Sequence, residues 1–391
     1  MDKRKAEMQV SIDVKKPKVA ETSIVKTFNS KGKQIQSIQV KRTSGLKSPI
    51  MLLTGHESDI LTTRFSPCGN YLASGSFDKT ICKHFIISRI VLWNVYGECT
   101  NFNVMRGQNG AILELDWSPN SERIFTACSD KTVGIYDVIV GKNIRKLKGH
   151  QNIINSVNCL RREPHLIVSG SDDKMINIWD QRQKEPVSTF TQRFQITSVS
   201  FGQVGDLVFA GSLDNDITAW DIRNQNISYK LNGHIDTITG LRLSPDGMNI
   251  LSASMDHSVR LWDVKPYASG NRCLKIFEGA PHGHEKNLIR PSWSHDAQRV
   301  ACGSADRTVL VWDVPSRKIL YKLPGHKGCV NEVDFHPEEP IIASCSADRQ
   351  IFLGEIEPSY SESFKKSGRG PYDQKNRQCF KIFAVHRRKG Q

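Results

Sequence analysis

The chain has 391 residues, 38% hydrophobic and 24% charged, which is enough apolar material for a sizeable buried core. Its formal charge of +14 sits at the ends: residues 1–48 hold 12 Lys/Arg against 4 Asp/Glu, residues 357–391 hold 9 against 3, and residues 49–356 hold 33 of each. A neutral middle argues against a basic surface for nucleic acid there. The 10 cysteines stand singly with no C-x-x-C pair, which speaks against a disulfide framework or a zinc site and for a reducing compartment, and the lack of a signal peptide or an 18-residue apolar run speaks against secretion or a membrane span.

Residues 1–48 are polar, poor in aromatics and without repeat pattern, so a disordered basic tail is expected. Lys3-Arg-Lys5 and Lys15-Lys-Pro-Lys18 suit a nuclear import signal, and the expected location is the nucleus. Pro49-Ile-Met-Leu-Leu-Thr54 then reads as a strand with no sheet of its own before it. After it one pattern recurs seven times. It is Ser74-Gly-Ser-Phe-Asp78, Thr126-Ala-Cys-Ser-Asp130, Ser169-Gly-Ser-Asp-Asp173, Ala210-Gly-Ser-Leu-Asp214, Ser252-Ala-Ser-Met-Asp256, Cys302-Gly-Ser-Ala-Asp306 and Ser344-Cys-Ser-Ala-Asp348. The Asp residues are spaced by 52, 43, 41, 42, 50 and 42, a period that marks a repeat architecture. Six residues past most of these Asp residues stands Trp or Tyr: Tyr136, Trp179, Trp220, Trp262 and Trp312, with Trp93 delayed by nine extra residues at 81–89. Upstream stand Gly55-His56, Gly149-His150, Gly233-His234, Gly283-His284 and Gly325-His326.

Within the third copy, Ile154-Asn-Ser-Val-Asn-Cys, His165-Leu-Ile-Val-Ser, Met175-Ile-Asn-Ile-Trp and Pro186-Val-Ser-Thr-Phe are four short β-rich runs cut by turn residues, with no room for a helix of ordinary length. A lone four-stranded sheet cannot bury both faces, so the copies must stack. The seventh copy supplies three strands up to Ile356, and Pro49–Thr54 is expected to complete it and close the ring. A second insertion, Pro266 to Arg272, is read as lengthening the connection into the sixth repeat. The 357–391 segment is again basic and without pattern. His282, His284 and His295 lie close in sequence, but His284 falls at a Gly-His position and is read as structural, so no metal is expected. A Gly-rich phosphate loop before a helix is absent, so no nucleotide or other cofactor is expected.

From 49 to 356 the chain resembles the WD40-repeat family. The resemblance implies an all-β, seven-bladed β-propeller with disordered basic N- and C-terminal tails, divided as 1–48, 49–356 and 357–391. It also implies a hydrogen-bonded set inside each complete blade: His56/Ser74/Asp78/Trp93, His150/Ser169/Asp173/Trp179 and His234/Ser252/Asp256/Trp262. A buried carboxylate requires such donors. A Ser-His-Asp catalytic reading has nothing to select one copy over the others, so no catalytic residue and no enzyme activity are expected. The second copy (Gln108, Thr126, Tyr136), the fourth (Gln192, Ala210), the sixth (Cys302) and the seventh (Gly354 in place of Trp) depart from the set. WD40 families also bind through the rim at the residue before each turn Asp, which makes Phe77, Leu213 and Met255 the candidate partner-binding positions.

Finer likeness points to the WD-repeat subunits of the U5 small nuclear ribonucleoprotein of the spliceosome. It is carried by Ile50-Met-Leu-Leu-Thr-Gly-His-Glu57, Leu92-Trp-Asn-Val-Tyr-Gly-Glu-Cys99, Asp214-Asn-Asp-Ile-Thr-Ala-Trp-Asp-Ile-Arg223, Glu285-Lys-Asn-Leu-Ile-Arg290 and Ile319-Leu-Tyr-Lys-Leu-Pro-Gly-His326. The resemblance implies a non-catalytic scaffold for pre-mRNA splicing. Its partners would be the large central U5 scaffold protein, the U5 GTPase and the helicase, with U5 snRNA touched only indirectly and neither a membrane nor a small-molecule substrate engaged. Trp179-Asp-Gln-Arg182 and Trp220-Asp-Ile-Arg223 keep open an alternative, the substrate receptor of a cullin-RING ubiquitin ligase.

Overall fold

A computed structural model describes residues 22–28, 34–77, 89–163, 165–268 and 270–357, with side chains from Arg42 onward. The described residues hold strands, bridges and turns and no helix. Seven four-stranded antiparallel sheets follow one another as blades: 60–106, 112–148, 154–191, 196–231, 238–278, 291–324, and 330–355 completed by Ile50–Thr54. The first strand of each blade packs against the first strand of the next, blade 7 against blade 1 included, so the sheets form a closed ring with these strands innermost. The first strand of the chain pairs antiparallel with Gln350–Glu355, setting Leu52 opposite Phe352 and Leu53 opposite Ile351. This leaves no blade with an unpaired seam.

The core is a set of wedges between blades rather than one centre. Phe125, Ile135 and Leu147 of blade 2, for instance, pack with Ile154, Val157 and Trp179 of blade 3. The Ser-Gly-Ser glycine has a packing role in these wedges. A Cβ on Gly170 would lie 2.6 Å from the Ile196 methyl of blade 4, and one on Gly211 would lie 2.7 Å from that of Ile238 in blade 5. Blades 1 to 6 also share a bulge at the Trp or Tyr position between third and fourth strands, as at Ile178/Trp179 and Leu261/Trp262. Bulges raise local twist, which the fanned blades need.

The chain before the ring is more structured than composition leads one to expect. Thr22–Phe28 and Gln34–Lys41 pair as a two-stranded antiparallel sheet. Residues 42–47 are anchored on the ring. Arg42 Nε meets Glu355 Oε2 at 2.7 Å, the Thr43 hydroxyl donates to Glu355 Oε1 at 2.7 Å, and Gly45 N–H donates to Glu339 at 2.7 Å. Leu46 is buried in the blade 7–blade 1 core, and Lys47 pairs with Glu98. The insertion at 81–88, the basic clusters at 3–5 and 15–18, and the 358–391 segment lie outside the described residues. The 266–272 insertion sits inside blade 5, between its third and fourth strands, and not between blades. There the Arg272 guanidinium lies 4.0 Å from the Tyr229 ring centre.

Candidate functional site

Blades 2 to 7 each bring three things to one rim of the ring: the turn between the second and third strands, the turn carboxylate, and the loop that leads into the first strand. In blade 3 the indole N–H of Trp179 donates to Ser169 Oγ at 2.8 Å, Ser169 lies 2.7 Å from His150 Nε2, and His150 Nδ1 lies 2.8 Å from Asp173. Because Asp173 can only accept, Nδ1 carries the proton and the serine hydroxyl donates to Nε2, so the four groups form one directed chain. Blade 5 repeats it with Trp262, Ser252, His234 and Asp256 at 2.8, 2.6 and 2.8 Å. In blade 1, Trp93 Nε1 and His56 Nε2 meet Ser74 Oγ at 2.9 and 2.7 Å, while Asp78 lies outside the described residues. The carboxylate is thus not the shared acceptor of all three side chains. It takes the imidazole plus backbone N–H groups, in blade 3 those of Gln151 and Met175, both at 2.9 Å. Burial lowers the pKa of His150 and His234 despite the adjacent carboxylates, so both imidazoles stay neutral. Against the same burial, hydrogen bonds hold Asp173 and Asp256 below the usual carboxylate range. A neutral imidazole locked on two sides and a fully buried serine already hydrogen-bonded to an indole form a structural brace.

The remaining blades rebuild the brace differently. Blade 7 keeps His326, Ser344 and Asp348 at 2.9 and 3.0 Å and sets the Phe352 ring edge-on to His326 at 4.7 Å, with Gly354 at the Trp position. Blade 2 replaces the histidine with buried Gln108, which accepts from the Thr126 hydroxyl at 2.8 Å and donates to the Thr132 carbonyl at 3.2 Å. In blade 4, Ala210 offers no acceptor. The buried Trp220 Nε1 and Gln192 Nε2 have no hydrogen-bond partner among the described residues, and the indole stacks on Phe190 instead. In blade 6 the Gly283-His284 pair does not occupy the brace position. His284 is exposed on a longer inlet loop, and Trp312 Nε1 turns to the Glu278 carbonyl at 3.2 Å. His282 of that loop stacks on His257, and no three metal-type side chains converge among the described residues.

The inner wall carries polar chemistry that the repeat pattern did not single out. Side chains of one innermost strand accept from backbone N–H groups of the next. Glu332 takes Thr63 N–H and Asp334 takes Phe65 N–H, both at 2.9 Å. Glu114 and Asp116 take Val157 and Cys159 N–H at 3.1 and 2.9 Å, while Ser156 and Asn158 take Val199 and Phe201 N–H at 3.0 Å. Arg64, 4% exposed, ties this wall together, at 2.9 Å from Glu332, 3.0 Å from Glu114 and 3.7 Å from Asp116. Burial pushes Asp116 and Asp334 up to about 6 even with Arg64 beside them. The one available sequence signal is a polar residue at every second position of the first strands of blades 1, 2, 3 and 7 (Thr62/Arg64, Glu114/Asp116, Ser156/Asn158, Glu332/Asp334), which reads as solvent-facing until the ring is closed.

The rim residues before the turn Asp are structurally equivalent. Phe77, Leu213 and Met255 each donate a backbone N–H to the inlet loop of their own blade, to Asp59, Gln195 and Thr237 at 3.0, 3.2 and 2.9 Å. Phe77 and Leu213 are exposed and Met255 half-buried. Phe77 of blade 1 stands across the ring from the other two, so the three do not make one patch. The Trp-Asp-x-Arg segments use their Asp locally: Asp180 accepts Arg182 N–H and Asp221 accepts Arg223 N–H, closing the turns that follow.

Seven copies of the family model described as "WD domain, G-beta repeat" match the chain, at 47–83, 99–137, 141–180, 184–221, 225–263, 271–313 and 317–353. The chain belongs to the WD40-repeat family. Among curated proteins it is similar to the U5 small nuclear ribonucleoprotein 40 kDa protein of Dictyostelium discoideum, 46% identical over 81% of this chain and 87% of that one. The human protein of the same name is 46% identical over 81% and 86%. The pre-mRNA-splicing factor cwf17 of Schizosaccharomyces pombe is 41% identical over 91% of this chain and 100% of its own length.

Proposed function

We propose that this WD40 propeller is a non-catalytic scaffold subunit of the U5 small nuclear ribonucleoprotein that supports pre-mRNA splicing in the nucleus through protein–protein contacts. The observation that carries the reading is the near-full-length identity to splicing proteins of three distant organisms. It fits a ring of balanced charge in which His150, His234 and His326 are locked in braces and Arg64 and its acids in the wall, and whose rim exposes apolar side chains. The partners proposed are the large central U5 scaffold protein, the U5 GTPase and the helicase, with U5 RNA reached through them. Affinity purification of the tagged chain from nuclear extract tests this. It should recover those three proteins and U5 RNA, and recovery of a ubiquitin-ligase adaptor with no splicing protein would replace this reading with the ligase one.

A further inference from the structure

The strap of residues 42–47 docks on carboxylates of the ring. Glu355 receives Arg42 Nε at 2.7 Å, the Thr43 hydroxyl at 2.7 Å, the Thr43 N–H, and the Ser44 N–H at 3.0 Å, while Glu339 receives the Gly45 N–H at 2.7 Å. Arg42 also folds back on the Leu46 carbonyl at 2.7 Å, and Leu46 makes an isolated β-bridge with Gly97. Burial works to raise the Glu355 pKa, yet the bonds from Thr43 and Arg42 hold it below the usual carboxylate range. The ring itself closes through Ile50–Thr54, which pairs with Gln350–Glu355 whether or not the strap is seated. A segment held by side-chain and cap-like bonds on a ring that closes without it opens locally at a lower free energy than the sheets do.

Two strap residues carry chemistry that the seated state hides. Ser44 is 1% exposed, with its Oγ accepting the Leu46 N–H at 3.4 Å. In sequence it follows Lys41-Arg42-Thr43, so cations stand two and three residues before the hydroxyl. That spacing is complementary to the acidic substrate cleft of a protein kinase that selects basic sequences. Arg42, 6% exposed, is committed to Glu355. The seated strap therefore withholds the hydroxyl and the recognised cation together, and the open strap presents both. A phosphate on Ser44 carries a charge of about −1.5 to −2. It could not return to a buried position between N–H groups already given to Glu355 and Glu339. It would also draw Arg42 to itself through a charge-assisted bond and leave Glu355 without its cation.

We propose that Ser44 is a cryptic phosphorylation site and the strap its latch. A kinase that reads basic residues modifies Ser44 in the open strap, and the phosphate then keeps the strap from reseating at the seam between blades 7 and 1, while the closing strand holds the ring intact. In the step itself Ser44 Oγ attacks the γ-phosphorus of a nucleoside triphosphate, the hydroxyl proton passes to the kinase, and the bond from the γ-phosphorus to the β–γ bridging oxygen breaks, releasing the nucleoside diphosphate. Population shift supplies the logic: modification proceeds through the open fraction and then makes that fraction dominant. The proposal is independent of the splicing reading, because latch and hydroxyl both belong to this chain.

The full-length chain incubated with magnesium ATP and the catalytic subunit of cAMP-dependent protein kinase, then mapped by peptide mass spectrometry, tests this. Ser44 should be phosphorylated slowly in the parent and about tenfold or more faster in Glu355→Ala, which unseats the strap. Arg42→Ala unseats it too but removes the recognised cation, so its Ser44 rate should stay well below that of Glu355→Ala. The phosphorylated parent should be cut by trypsin after Lys47 about tenfold faster than the unmodified chain, and its melting temperature should fall toward that of Glu355→Ala. Where Glu355→Ala does not fold, Glu339→Gln, which loosens the strap at Gly45, takes its place. Phosphate confined to other residues, equal Ser44 rates in the parent and the unseated variant, an Arg42→Ala rate matching Glu355→Ala, or a phosphorylated chain cut no faster after Lys47 would each overturn the proposal.

Discussion

A carboxylate at the same repeat position does different work in different blades, and this can be measured. Asp173 holds the His150 imidazole and two backbone N–H groups, whereas Asp214 accepts from the Ser212 hydroxyl and, at 3.4 Å, from Asp216 N–H. Asp173→Ala should therefore destabilise the ring by about 1–3 kcal/mol more than Asp214→Ala, the scale of stranding buried donors, read as the difference in urea midpoints. Equal shifts would contradict the directed chain. The pH dependence has two opposed sources. His150, His234 and His326 have pKa values lowered by burial, so the unfolded chain takes up protons below about 6.5 that the folded chain refuses, and stability falls as pH drops. Asp116 and Asp334 titrate near 6 in the folded ring and near 4 unfolded, so between those values they take up protons on folding and offset the loss. Replacing both with Asn keeps a carbonyl acceptor and removes the offset. The melting temperature of that variant should fall more steeply from pH 6.5 to 5 than the parent's. The repeat spacing makes the brace residues legible in the sequence, because each copy repeats the same short-range geometry. Arg64 and its four acids are not legible, because their meaning depends on blades 1, 2 and 7 meeting at the ring centre, a contact no local pattern encodes.

Elements show the same division between local and closing information. Strand runs, turn carboxylates and the closing strand Ile50–Thr54 follow from alternation and punctuation. Two features do not. The longer loop into blade 6 moves His284 off the position its Gly-His spacing assigns, since spacing counts residues and not path. The 42–47 strap reads as polar tail because its partners, Glu355 and Glu339, lie about 300 residues away in sequence. This strap adds a second clasp beside the closing strand, at the seam between blades 7 and 1, and it makes truncation depend sharply on where the cut falls. Removal of residues 1–41 should leave the melting temperature of the ring unchanged, whereas removal of 1–48 should lower it, because Glu355 loses its buried Arg42 partner. Glu355→Ala in the full chain should mimic the longer cut, at about 3–5 kcal/mol, the cost of breaking a buried pair from one side. Identical melts for the two truncations would show the strap to be ornamental. The wedge packing gives a parallel expectation: Gly170→Val drives a side chain into Ile196 and should destabilise by more than about 1–3 kcal/mol, measured by the same melts.

For the whole molecule, the separation of charge from structure decides how the ring associates. The ring is neutral overall, with its net charge confined to the end segments. Binding that neutralises phosphates releases counterions and weakens steeply with salt, whereas binding through apolar anchors on a preformed rim does not. A scaffold docked by its propeller should keep its splicing partners when the salt of the nuclear-extract purification is raised from about 0.1 to about 0.3 M and when ribonuclease is added, because the Debye length already limits exposed charges at the lower value. U5 RNA should leave the purified material with ribonuclease while the proteins remain. Loss of the proteins in step with rising salt, or on ribonuclease treatment, would place the contact in the basic segments and RNA rather than on the ring. The ring's closure makes the protein result interpretable: strand pairing, strap and the Arg64 wall all join blade 7 to blade 1, and the cysteines among the described residues are free, so reductant in the extract should not open the ring, and persistence of the partners under that treatment belongs to the same experiment.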